Sequence, residues 1–111
     1  MGMLYYGRGM EVGMEDRLLA HLQITVGAKM RRHEAFFISW VDSAAVGSGR
    51  SAIWVDTGVS LIFRYASLAP IRINRLWLDA LALSAETNQG MKLENEPGAI
   101  HDHTRLPHSH V

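Results

Sequence analysis

The chain has 111 residues, 48% of them hydrophobic, which suits one globular domain with a real core and excludes wholesale disorder. Lys plus Arg and Asp plus Glu each number 11, so formal net charge is zero and the basic excess that drives phosphate-based nucleic-acid binding is missing. There are no cysteines, which excludes disulfides, thiolate catalysis and Cys-based zinc sites.

That lack of disulfides fits the cytoplasm, the expected localisation. The opening MGMLYYGRGMEVG has neither a charged n-region nor a continuous apolar stretch, so no signal peptide is expected. No apolar run approaches the ~20 residues of a membrane span, and no membrane partner is expected.

Met3 to Tyr6 reads as a strand, Gly7-Arg8-Gly9 as a turn and Met10 to Val12 as the returning strand of a hairpin. Glu15 to Arg32 follows as a helix. Leu18, Leu22, Val26 and Met30 recur every four residues, with Leu19 on the same face. Glu15 and Asp16 lie in its first turn, and Lys29, Arg31 and Arg32 in its last, each where the helix dipole favours that sign. His21 sits on the flank of the apolar stripe and reads as a partly exposed helix residue. Arg17 and Thr25 occupy the positions four before and four after it, so no metal pair is formed there. Lys29 to His33 reads as a solvated, dipole-complementing helix end, with a nucleic-acid contact as the functional alternative.

Ala35 to Tyr65 is the densest block of β-branched and aromatic residues and reads as a three-stranded antiparallel meander. Phe36, Ile38 and Trp40 point one way, and Phe37, Ser39 and Val41 the other. Ile53 and Val55 oppose Ala52, Trp54 and Asp56. Val59, Leu61, Phe63 and Tyr65 oppose Ser60, Ile62 and Arg64. Asn74 is a good N-cap for a second helix from Arg75 to about Asn88. Gly90 ends it, and Met91 to Glu94 reads as a final edge strand.

The pattern stops at Pro97. Residues 97–111 read as a disordered tail, leaving 1–96 as the folded domain. His101, His103, His108 and His110 give weak metal-ligand spacing in that tail, and no metal or other cofactor is expected.

The expected fold is therefore α+β. It has a mostly antiparallel sheet of five or six strands in the order β-β-α-β-β-β-α-β, with both helices on one face. Those helices are expected to bury Leu18, Leu22, Val26, Leu76, Trp77 and Leu81.

One loop carries a candidate site. Gly47, Ser48 and Gly49 can turn successive backbone N–H groups into a concave nest, and Arg50 adds a bidentate-capable cation. Arg64 and Arg72 are candidates to approach the same end of the sheet, with Asp42 and Asp56 as competing partners for Arg50. The bland alternative is a surface loop whose glycines serve only its turns. Trp40 and Trp54, on either side of this loop, read as packing residues, with base stacking as the functional alternative. No catalytic residue is assigned, because no nucleophile–base pair, paired carboxylates or metal-ligand set can be placed on a shared face.

Several segments together resemble a family of small, uncharacterised bacterial proteins. They are Tyr6-Gly7, Asp16-Arg-x-Leu-Ala-His-Leu22, Phe36-Phe-x-Ser-Trp40, Gly47-Ser-Gly-Arg50 and Asn74-Arg-x-Trp77, within residues 1 to 96. Members of that family often carry the label ATP-dependent DNA ligase. Ligase chemistry uses a lysine nucleophile in a Lys-x-Asp-Gly setting, and neither Lys29 nor Lys92 stands in one. The resemblance thus implies an accessory role beside nucleic acid or nucleotides rather than catalysis. Two readings stand: a non-enzymatic binding or interaction module with a protein partner or unknown ligand, and a nucleic-acid or nucleotide-handling protein using Gly47 to Arg50.

Overall fold

The computed structural model describes residues 1–42 and 49–98, together with the backbone of 108–110. The order of elements is β1 (Gly2–Tyr6), β2 (Met10–Met14), α1 (Asp16–Arg31), β3 (Phe36–Val41), β4 (Arg50–Val55), β5 (Leu61–Arg64), α2 (Arg75–Ser84), β6 (Met91–Lys92) and β7 (His108–His110).

The protein is α+β, but the strands form two sheets instead of one. The first has the order β5-β1-β2, extended by β7, and all its pairings are antiparallel. The second has the order β4-β3-β6, with β6 running parallel to β3. The expected meander breaks after β4. The carboxylate of Asp56 accepts from the Gly58 amide at 2.8 Å, and its carbonyl accepts from the Val59 amide at 3.2 Å. Beyond this tight turn β5 leaves β4 and pairs with β1, from Met3 opposite Arg64 to Tyr6 opposite Leu61. The alternation of Leu61 and Phe63 marks a strand correctly but carries no information about its partner.

Nor do the two helices share one face of a sheet. α1 packs against β1 and α2, whereas α2 packs against α1 and β6. One apolar cluster joins them: Leu4, Val12 and Met14 from the first sheet, Phe36, Ile38 and Val55 from the second, Leu18, Leu19, Leu22 and Val26 from α1, and Trp77 and Leu81 from α2. Burying each large aliphatic side chain contributes about 1.5–3 kcal/mol. Of the six helix residues expected in the core, Leu76 is the exception, at 63% exposed. α2 buries only Trp77 and Leu81 fully, so it lies on the body along a narrow strip.

α2 is also shorter than the spacing predicts, ending at Ser84. Among the described residues no helix is long and apolar enough to cross a membrane.

Candidate functional site

The pairing of β3 with β4 places Phe37 opposite Trp54, Ser39 opposite Ala52 and Val41 opposite Arg50, and β6 sets Lys92 beside Ser39. Side chains alternate along a strand, so these residues share one face of the second sheet. The other face, with Phe36, Ile38, Trp40, Ile53 and Val55, is in the core. The two tryptophans flanking the glycine loop are thereby separated. Trp40 is 2% exposed, while Trp54 is 44% exposed beside Phe37 at 42%.

Phe37 and Trp54 meet edge to face, with ring centroids 5.0 Å apart. The indole N–H of Trp54 donates to Asp56 at 3.0 Å, and its carbonyl accepts from the Tyr6 hydroxyl at 2.5 Å. Both ends of the residue are held, so the exposed ring has a fixed pose. Two depressions adjoin this pair. One of about 270 Å³ is lined by Phe37, Ser39, Arg50, Ala52, Asn88 and Gln89 among others. The other, about 450 Å³, includes Phe37, Trp54, Asn88, Lys29, Glu34 and Glu86 in its wall. Arg50 also borders a smaller space of about 140 Å³ with Lys92 and Glu94.

Arg50 is exposed, and among the described residues no carboxylate lies within ion-pair distance of it. Its two expected competitors are engaged elsewhere. Asp42 accepts from the Ser51 hydroxyl at 3.0 and 2.9 Å, and Asp56 holds Trp54 and Gly58. The Gly49 carbonyl accepts from the Asp42 amide at 2.8 Å, closing the base of the loop. Gly47 and Ser48, the rest of the expected nest, lie outside the described residues. Arg64 is on β5 in the first sheet, its guanidinium 5.5 Å from the Tyr5 ring centre. Arg72 precedes α2, and its carbonyl accepts from Arg17 at 2.8 Å. Neither lines the depressions that Arg50 borders. Phe37 and Lys92, absent from the expected site, do stand on this face; strand alternation alone would have placed Phe37 beside Trp54.

Two cations at the basic end of α1, Lys29 and Arg32, are paired with carboxylates. Lys29 is 5% exposed, with its ammonium 3.2 Å from Glu34 and 3.4 Å from Glu86. Arg32 pairs with Glu34 at 3.3 Å. The Lys29 hydrogen bond, with Arg32 close by, holds the Glu34 carboxyl below its usual range.

A second polar cluster lies between α1 and α2, and it overturns the reading of His21 as partly exposed. His21 is fully buried and tilted against the Trp77 ring, with centroids 4.6 Å apart. The Asn74 amide donates to His21 Nε2 at 2.8 Å, so that nitrogen is unprotonated and Nδ1 carries the proton. Nδ1 then donates to the Arg17 carbonyl at 2.6 Å. Burial pushes the His21 pKa down, against the opposing effect of that carbonyl. Glu96 completes the cluster, accepting from Arg17 at 2.9 and 2.5 Å and from the Asn74 side chain at 2.8 Å. The Arg17 hydrogen bond holds its carboxyl below the usual range. Asn74 Oδ1 meanwhile caps α2, accepting from the Leu76 amide at 3.0 Å. Every polar atom of His21 is spent on backbone, which makes the cluster a clasp between helices. The segments Asp16–Leu22 and Asn74–Trp77, prominent in the sequence resemblance, meet in this clasp.

Among the described residues no group of three or more His, Asp or Glu could hold a metal ion. The four tail histidines lie outside the described side chains.

Searches of curated proteins and of solved structures gave no match. The family described as Domain of unknown function (DUF7882) matches residues 1–96, and with most of its length so covered the chain belongs to that family.

Proposed function

We propose that this protein is a non-enzymatic binding module whose recognition surface is the open face of the β4-β3-β6 sheet. The observation that carries this reading is the exposed, edge-to-face Phe37–Trp54 pair on the same sheet face as an Arg50 that has no carboxylate partner among the described residues. Fixed aromatic rings offer a stacking surface, and Arg50 and Lys92 on the same face offer charge for a phosphate. The ligand class that combines a planar ring with an anion is a nucleotide or a short single strand. Arg64 and Arg72 have no part in this site.

Catalysis draws no support from the same residues. The buried His21 has both nitrogens engaged, and the Ser51 hydroxyl is held by Asp42. The accessory role beside DNA ligation that the resemblance raises fits this reading better than ligation itself. Lys29, enclosed by Glu34 and Glu86, is poorly placed as a covalent nucleophile.

Titrating the protein with a single-stranded DNA oligonucleotide while following tryptophan fluorescence tests the proposal. Trp54→Ala should lose about 1–3 kcal/mol of binding, the usual worth of one base–aromatic stack. With Arg50 and Lys92 as the phosphate contacts, log affinity should fall against log salt with a slope near −1.4, from about −0.7 per contact, and Arg50→Ala should remove about half of it. No binding at low salt, or binding untouched by Trp54→Ala, would remove the nucleic-acid reading.

We place this activity within residues 1–96 and propose that the residues after Gly98 contribute little to the fold. Pro97 is held, its carbonyl accepting from the Asn74 side chain at 3.1 Å, whereas β7 adds three residues to a sheet edge. A chain ended at Gly98 should melt within about 3 °C of the full chain. A much larger drop would mean that the last residues pack on the domain.

A further inference from the structure

The outward side of α2 carries an apolar strip that no described residue covers. Leu76 is 63% exposed and Leu83 74%, and Ala80 between them is exposed too. At 3.6 residues per turn these three fall within an arc of about 60°. Ile73, 42% exposed, precedes the helix and continues the patch. Patches of this kind on a small domain mark contact surfaces.

The charges of the helix indicate what covers it. α1 follows the rule for helix ends, with Asp16 in its first turn and Lys29 and Arg31 in its last. α2 reverses it: Arg75 occupies the first turn, neither turn holds a complementary charge, and Glu86 stands just past the last. Arg75 has no ion pair among the described residues. Glu86, though 3.4 Å from Lys29, keeps 70% of its side chain exposed. Against its own dipole each charge is misplaced. Against an antiparallel copy of the same helix each is well placed, Arg75 at the partner's negative end and Glu86 at its positive end.

The apolar pattern has the same symmetry. A two-fold axis between positions 79 and 80 sets Leu76 of one copy against Leu83 of the other. Ala80, small enough for close approach, then lies next to the axis. We infer that α2 is a homodimerisation face, pairing antiparallel with α2 of a second copy of this chain. A helix of 10 residues offers less than the roughly 800 Å² per partner of a standard interface, so the dimer is weak and concentration-dependent.

Sedimentation equilibrium on the full chain, from about 10 μM to about 1 mM, tests this. The wild type should pass from monomer to dimer across that range. Leu83→Glu should raise the dissociation constant at least tenfold while circular dichroism and melting temperature hold, since the side chain is already in solvent. Leu76→Ser is the second surface variant and should behave alike. Arg75→Glu should also weaken association, because it sets a carboxylate at the partner's negative helix end. A monomer at every concentration would overturn the inference and leave the face to a different protein. A dimer indifferent to Leu83→Glu, or to Arg75→Glu, would overturn it equally.

Discussion

Gly90→Ala should unfold the domain more easily by about 2–6 kcal/mol, from backbone strain of about 1–3 kcal/mol and overpacking of a similar size. Gly90 has φ +83°, where L side chains are strained. A Cβ there would run into the Phe37 carbonyl oxygen and stand 2.6 Å from the Phe37 Cβ. The obstacle is mainly β3 backbone, fixed by six cross-strand pairs with β4, so it cannot swing aside as a flexible side chain would. The turn is fixed as well: the Gly90 amide donates to the Thr87 carbonyl at 3.0 Å. In a domain of this size the loss corresponds to a melting temperature lower by about 8 °C or more. Gly27→Ala is the control. It lies within α1 with no described residue inside 4 Å of the added methyl, and should be neutral or stabilising by up to about 1 kcal/mol. Thermal melts of both variants would decide the matter. A Gly90→Ala protein as stable as wild type would mean that the chain does not cross β3 this closely. Because Phe37 belongs to the proposed recognition surface, the same variant should also weaken ligand binding in whatever fraction stays folded.

Removing the His21 ring should cost about 2–4 kcal/mol. Truncation loses packing against Trp77 and leaves two buried backbone partners, the Asn74 amide and the Arg17 carbonyl, without a hydrogen bond. The same geometry sets a pH dependence. A proton on Nε2 would face the Asn74 amide donor to donor, so the folded state holds the ring neutral. Its folded pKa lies below the ordinary 6.5 that the unfolded chain keeps. Below pH 6.5 the unfolded chain therefore binds the extra proton first, and stability falls with pH until the folded pKa is passed. Glu96 acts in the same sense at lower pH. Its folded pKa is depressed from 4.5, so its stabilisation is present above that value and lost as pH falls through the folded pKa. Urea unfolding of wild type and His21→Gln at several pH values from about 7.5 to about 5 measures the first effect. The variant should be weaker at the upper end of that range, and the gap should close as pH falls, since glutamine does not titrate. An undiminished gap at the acid end would show that His21 contributes packing alone.

The position of His21 illustrates where local pattern stops. Its apolar neighbours Leu18, Leu19 and Leu22 fix the helix and one edge of its buried face. The ring is buried because α2 arrives against that edge with Trp77 and with the Asn74 amide, residues 53 and 56 positions further on. Leu76 is the converse. Its periodicity with Ala80 and Leu83 is a genuine helical stripe, but periodicity reports that a face is apolar and not what covers it.

Sequence alone was enough for the local structure: the N-terminal hairpin, α1 with its charged ends, the in-and-out alternation of β3 and β4, and Asn74 as the cap of α2. These elements arise from side-chain geometry and backbone bonding within a few residues. It was also enough to exclude disulfides and cysteine-held zinc. Only the tertiary structure decided that β5 joins β1 and divides the strands into two sheets, that Glu86 reaches Lys29, and that Arg64 lies in a different sheet from Arg50. Each of these relates residues far apart in the chain. Many pairings of the same strands would satisfy the same alternation, and the one adopted is chosen by how the whole core closes around α1.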